Sequence, residues 1–196
     1  YISSNMLLVK DMASVATQAT QLMILEMLHG ENPLAGKMGE QLEQATQDLA
    51  AQVKGLPTSD AYKEVVRFCE SMRLEIFFSP HGACMPVQTH SMRCHDEAGT
   101  PLLLRRQPNA RTRQPSLCAG CDCFVLDARH SDFWASRYVD NWLAYKRAER
   151  SGDVNGFKVI KERAQQAGKL LKKIGISVAK FDAEIESALG AEHVAG

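Results

Sequence analysis

The sequence predicts a mainly α-helical protein in which helical segments flank a small, irregular, cysteine-rich module with one or two short strands. Three observations carry that prediction. Apolar residues recur at helical spacing through residues 2–73 and again beyond residue 127. Residues 79–117 hold Pro80, Pro86, Pro101, Pro108 and Pro115 and show no sustained helical period. Five of the six cysteines lie within or just after that stretch. The expected division is 1–73 helical, 74–126 cysteine-rich and zinc-ribbon-like, and 127–196 helical.

The first helix is carried by Met6, Val9, Ala13, Ala16, Leu22, Leu25 and Leu28, and "HGENP" at 29–33 stops it. Met38, Leu42, Ala45, Leu49 and Val53 predict a second helix that ends near Gly55 and Pro57. Ser59 is placed to cap a third, through Tyr62, Val65, Val66, Cys69 and Met72. "LEIFFSP" changes the period toward alternation, which predicts a short strand over 74–78. After Cys123 the helical period returns with Phe133, Trp134, Tyr138, Trp142 and Tyr145, ending near Gly152. At i, i+4, i+8 and i+11, Trp134, Tyr138, Trp142 and Tyr145 are expected to form a core face rather than a base-stacking platform. A further helix carries Phe157, Ile160, Ala164, Ala167, Leu171 and Ile174 to a left-handed cap at Gly175, and Ser177 opens a last one through Phe181 and Leu189.

Composition sets the class. Hydrophobic content of 45% and charged content of 23% belong to a folding globular chain rather than a disordered one. No apolar run is long enough to cross a bilayer, and no secretory signal is visible, so a soluble intracellular protein is expected. The chain begins at Tyr1 without an initiator methionine, so its natural start is expected upstream. Net charge is zero, but the distribution is bipolar. Residues 58–175 carry 19 bases against 13 acids, and both flanks are acidic. That permits a polyanion-facing surface without requiring one.

The irregular stretch needs a staple, because ordering each residue costs roughly 1–2 kcal/mol of backbone entropy. Cys84, Cys94, Cys118 and Cys121 bracket it with spacing C-x9-C-x23-C-x2-C. Two thiolates in the tight "CAGC" turn, bent at Gly120, and two from a distant loop suit tetrahedral structural zinc, whose binding energy is folding energy. His81, His90 or His95 can replace one thiolate, and Cys123 can replace Cys121. The alternatives are disulfides, disfavoured in a reducing compartment; a redox pair at Cys118 and Cys121, which lacks its βαβ context; and unconnected buried thiols. Cys69, on an apolar helix face, reads as a core residue, and His130 as a capping or surface residue.

"SPHGACMP", Cys94, "PSLCAGCDCFVLDARHSDFWASRY" and "RAQQAGKLLKKIG" together resemble the cysteine-rich C-terminal extension found in a subgroup of tyrosine recombinases, the phage and transposon integrase superfamily. The likeness spans residues 74–175. It implies that "YISSNMLLVKDM" is similar to the segment that begins at the catalytic tyrosine, which makes Tyr1 a candidate nucleophile forming a 3′-phosphotyrosyl bond. The family's phosphate-stabilising arginine, lysine and histidine residues would lie upstream, so this portion alone is expected to be inactive. The resemblance further implies DNA as partner, self-association on DNA, no small-molecule substrate, and a place in the bacterial cytoplasm at the nucleoid. Arg105, Arg106, Arg111 and Arg113 are the candidate phosphate contacts, with Lys158, Lys161, Arg163, Lys169, Lys172 and Lys173 either assisting or forming a solvated face. The alternative is a non-enzymatic zinc-stabilised module that binds DNA or a protein.

Overall fold

The computed structural model describes the backbone of residues 2–87 and 91–195 and the side chains of residues 10–87 and 91–191. The chain is mainly helical with one small antiparallel sheet, and it divides into two compact units, residues 1–126 and 127–196.

In the first unit, α1 (Ile2–Leu28) buries Met23, Ile24 and Leu25 in its C-terminal half. It packs against α4 (Thr58–Met72), and Tyr62 on α4 donates its hydroxyl proton to Gln21 Oε1 at 2.7 Å. Where periodicity predicts one helix over residues 38–53, the structure has two, α2 (Lys37–Ala45) and α3 (Gln47–Val53). Thr46 makes the break: it is buried, and its hydroxyl bonds back to the Leu42 carbonyl at 2.7 Å. Met38 and Leu42 on α2, Leu49 and Val53 on α3, and Ala61, Val65 and Cys69 on α4 join the α1 residues in one apolar core. Cys69 is thus a core residue, and burial pushes its thiol up to about 11.

The strand expected over 74–78 is shifted to β1 (Phe77–Ser79). Arg73 adopts a left-handed conformation (φ 49°), and the Leu74 amide reaches back to the Cys69 carbonyl at 3.1 Å, so Leu74 closes α4 instead of opening a strand. A tight turn through Pro80 and His81 leads into β2 (Gly82–Cys84), and β3 (Phe124–Val125) joins β2 on its other side. The register pairs Phe77 with Cys84 and Cys84 with Phe124. Gly82 (φ 146°) lets the Phe124 ring lie across the hairpin, since a Cβ there would sit 2.5 Å from Phe124 Cε2. A bridge between Ala35 and Leu126 ties the sheet to the start of α2. The second and third strands have no alternating pattern to announce them. Each is too short, and both are buried throughout.

The proline-rich stretch is not wholly irregular. It holds α5 (Arg93–Glu97), a 3-10 turn over Leu102–Leu104, and α6 (Pro115–Cys118), with Pro115 at the first helical position.

The second unit packs α7 (Ser131–Ser151) against α8 (Lys158–Lys173) and α9 (Ala179–Ala195). The aromatic face expected on α7 is a core face: Trp134, Tyr138 and Tyr145 are buried and Trp142 is half-buried. Gly152 and Gly175 end α7 and α8 in left-handed conformations, and the Ser177 hydroxyl accepts from the Ala179 amide at 3.4 Å. No helix among the described residues is long and apolar enough to cross a membrane.

Candidate functional site

The two ends of the proline-rich stretch meet at the sheet. Cys84 closes β2, Cys123 directly precedes β3, and the Met85 amide donates to the Cys123 carbonyl at 2.8 Å. Cys118 ends α6, and the turn back to Cys121 is closed by a 2.8 Å bond from the Cys121 amide to the Cys118 carbonyl. Gly120 is not needed there for its backbone freedom, because its φ is not positive. The Arg93 guanidinium occupies the space a Cβ would take. Cys94 lies on α5.

Cys84, Cys94, Cys118 and Cys121 are all buried, and all four line one small cavity of about 10 Å3, walled otherwise by Pro108, Arg113, Leu117 and Phe124. A void of that size is about one water-sized sphere. Three of the sulfurs have polar partners in the protein. The Asn109 amide donates to Cys94 Sγ at 3.4 Å, Ser91 Oγ lies 3.5 Å from Cys123 Sγ, and Cys121 Sγ donates to the Ser91 carbonyl at 3.7 Å.

Burial and neighbouring sulfurs raise three of the thiols, Cys118, Cys121 and Cys123. A hydrogen bond given to Cys123, and then burial, push Cys121 far above the ordinary thiol range. Cys123 gains from that bond, but the one it gives to Cys84, together with burial, leaves it raised to about 11. Burial also raises Cys118 to about 11, against the pull of the neighbouring Arg113. Among the described residues, no group of three or more His, Cys, Asp or Glu side chains is arranged to hold a metal ion. Donor type, number and burial fit a structural zinc.

Of the imidazoles weighed as substitutes, His81 is buried and stacks on Phe124 with ring centroids 6.2 Å apart. His95 is buried, and its Nε2 lies 2.7 Å from the Gln107 carbonyl. That carbonyl accepts only from Nε2–H, a tautomer that leaves Nδ1 as a buried acceptor without a hydrogen-bond partner among the described residues. His90 lies outside the described residues, as does Tyr1.

The four arginines divide into two pairs. Arg113 donates from Nη1 and Nη2 to the Phe78 and Phe77 carbonyls at 3.0 and 2.7 Å, which braces β1. Arg105 is largely buried, pairs with Asp96 at 2.5 Å, and gives Nε–H to the Thr100 carbonyl. Arg106 and Arg111 are exposed. On α8, Lys158, Arg163, Lys169, Lys172 and Lys173 are exposed, while Lys161 is half-buried and lies over the Tyr145 ring, 4.6 Å from its centroid.

A charged knot that the sequence reading did not single out begins the second unit. Asp127, 1% exposed, accepts from the Arg129 amide at 2.9 Å and from its Nε at 2.8 Å, and lies 3.2 Å from His130 Nδ1. Burial alone would raise its carboxyl, but the bonds from His130 and Arg129 outweigh it and hold Asp127 well below the usual carboxylate range. The signal was legible: "DARH" puts an acid two and three residues before its two partners. Such a depressed carboxyl stabilises the fold above its unfolded value of 3.8, and the contribution is lost as pH falls from there toward its own lower value. Asp127→Asn is therefore expected to cost about 2 kcal/mol near neutral pH. Denaturant titrations of both proteins should converge as the pH drops below 3.8.

No protein-family model, curated protein or solved structure matches this chain.

Proposed function

We propose that this chain is the DNA-contacting C-terminal portion of a site-specific recombinase of the tyrosine class, with its central module held by one structural zinc ion. The observation that carries the proposal is the convergence of Cys84, Cys94, Cys118 and Cys121 on one buried cavity from three separate parts of the chain. In this reading those four sulfurs hold the ion, with Cys123 and the Nδ1 of His95 as the nearest substitutes by chemistry. Zinc contributes cross-linking of the 79–117 stretch and no reaction of its own. The Asn109 amide, already directed at Cys94, supports a thiolate there. The recombinase assignment rests on the resemblance across residues 74–175, and the role of Tyr1 as nucleophile rests on it alone. A second reading, a free-standing zinc module that binds DNA or a protein, shares the metal and the arginines.

The protein's own residues then position a duplex rather than cut it. Arg106 and Arg111 are the loop cations open to phosphate, whereas Arg105 and Arg113 hold the scaffold under them. Removing two phosphate contacts should flatten the dependence of log affinity on log salt by about two units at most. Arg106→Ala combined with Arg111→Ala is expected to do this while leaving thermal stability within about 0.5 kcal/mol. Arg113→Ala should instead lower stability, since it leaves two β1 carbonyls without their donors. Fluorescence anisotropy of a labelled duplex across a salt series, with zinc content measured on the same sample, tests the reading. A metal-free wild-type protein that binds no duplex at low salt would sink it. The coding sequence upstream of Tyr1 separates the two readings. An arginine followed by a histidine-x-x-arginine pattern supports the recombinase, and an initiator codon adjacent to Tyr1 removes it.

A further inference from the structure

Three consecutive leucines on the loop are turned out into solvent: Leu102 is 66% exposed, Leu103 90% and Leu104 68%. Isolated exposed leucines are ordinary, but a contiguous apolar tip marks a contact surface. The backbone explains why all three protrude. They form a 3-10 turn, closed by bonds from the Leu104 amide to the Pro101 carbonyl (3.0 Å) and from the Arg105 amide to the Leu102 carbonyl (3.2 Å). With three residues per turn, successive side chains point about 120° apart, so no single neighbouring surface can cover them together.

The tip is stiff at its base. Arg105, the next residue, is tied to Asp96 and to the Thr100 carbonyl, and Pro101 fixes the backbone on the other side. Its C-terminal side is cationic: residues 98–117 contain four arginines and no aspartate or glutamate, and Arg106 and Arg111 are exposed, while the exposed Asp96 on the other side is paired with Arg105. A stiff apolar point followed along the chain by two exposed guanidinium groups, in a segment (98–117) without an acid, matches the chemistry of a polyanion whose stacked interior is apolar. Proteins that kink duplex DNA use such points, sliding an aliphatic side chain between two base pairs while flanking cations hold the phosphates.

We propose that the Leu102–Leu104 turn is a DNA wedge, with Leu103 as its point, which enters a flexible base-pair step and bends the duplex. This rests on the DNA-binding reading above and adds to it: the module deforms its target as well as holding it. A second copy of this chain is the other candidate occupant, because an apolar groove of about 830 Å3 lies between α1 and β1, lined by Met12, Val15, Ile76, Phe77, Phe78 and Pro108. The charge of the loop favours DNA. The groove is lined by one acid, Asp11, and one base, Arg113, and so offers no net charge to the two exposed arginines of the loop.

The probe is a duplex of about 30 base pairs rich in TA steps, which unstack readily, with 2-aminopurine at one such step and a donor and acceptor dye at its ends. Wild-type protein should raise the 2-aminopurine emission and the end-to-end energy transfer as it binds. Leu103→Ala should abolish both signals and weaken binding roughly tenfold, with the salt slope and zinc content unchanged; Leu103→Phe should restore them. If wild type binds the duplex with neither signal, the wedge is wrong and the DNA reading stands. If it binds no duplex even at low salt, the DNA reading fails and the wedge with it. If Leu103→Ala leaves both signals intact but converts a dimer to a monomer in sedimentation, the turn is a protein interface and the proposal is overturned.

Discussion

Cys118→Ser is expected to release the proposed zinc ion and to unfold the cysteine-rich module while the second unit keeps its helices. Structural zinc in small modules is bound with an apparent 10–16 kcal/mol at neutral pH, which equals or exceeds the 5–15 kcal/mol by which whole domains are stable. Among its described residues the 79–117 stretch contains one strand, β2, and otherwise short helices and turns, and it contributes to the apolar core of the first unit through Ala83 and Met85. Without a staple, little offsets its ordering entropy. Hydrogen exchange should show protection lost over residues 82–126 and retained in α7 and α8, with metal content falling from one per chain to none. Cys123→Ser should keep the metal, because Cys123 does not line the cavity that the other four sulfurs share. Cys69→Ala, in the helical core, should also keep it. A full zinc complement in Cys118→Ser would remove that residue from the ligand set. Equal protection in both proteins would show that the stretch is ordered without a metal.

Tyr138→Ala is expected to unfold the second unit. Tyr138 connects all three of its helices: from α7 its ring meets Phe181 of α9 at 6.3 Å between centroids, and its hydroxyl donates to Asp182 Oδ1 at 2.6 Å. On α8, Gly168 accommodates the ring so closely that a Cβ there would lie 2.8 Å from Tyr138 Cε2. Truncating a buried aromatic side chain costs about 3–5 kcal/mol. A core of about 70 residues supplies no more than roughly 3–5 kcal/mol. The loss therefore matches the whole stability, and the α7–α9 circular dichroism signal should melt below ordinary growth temperature. Tyr138→Phe keeps the ring and removes only the bond to Asp182, for about 1 kcal/mol. A pH series separates the two contributions. Burial and the Asp182 carboxylate push the Tyr138 hydroxyl up to about 12, so its hydrogen bond is complete below the unfolded value of 10 and is lost as pH rises through 12. The gap between wild type and Tyr138→Phe should close over that interval. A Tyr138→Ala protein as stable as wild type would mean that the helices are held elsewhere.

The helices were legible because their signals are local. The apolar period of α7 and α8, the stop at "HGENP", and the glycines at 152 and 175 each act within a few residues. The errors arose where a tertiary or side-chain effect overrode the period. Thr46 bonds backward and splits a helix that Met38 through Val53 would sustain, and Arg73 turns left-handed and takes Leu74 out of β1. The sheet was mostly invisible, since β3 is two residues long and owes its existence to pairing with a strand some 40 residues earlier. At the site, the sequence pointed to the four sulfurs that share a cavity but not to their partners. The Ser91 carbonyl and the Asn109 amide carry no side-chain signature. The arginine cluster looks uniform in the sequence because exposure depends on packing. Only the structure separates the two that brace the fold from the two that face water.

The distance along the chain between the paired strands also has a kinetic side. A ribosome adds roughly 5–20 residues each second, so about two to seven seconds pass between synthesis of Cys84 and of Cys118. Throughout that interval the nascent hairpin carries one thiol, Cys84, while Cys118 and Cys121 do not yet exist. Completion of the module thus waits on translation, and early exposure to oxidant is the hazard that a newly made copy has to survive.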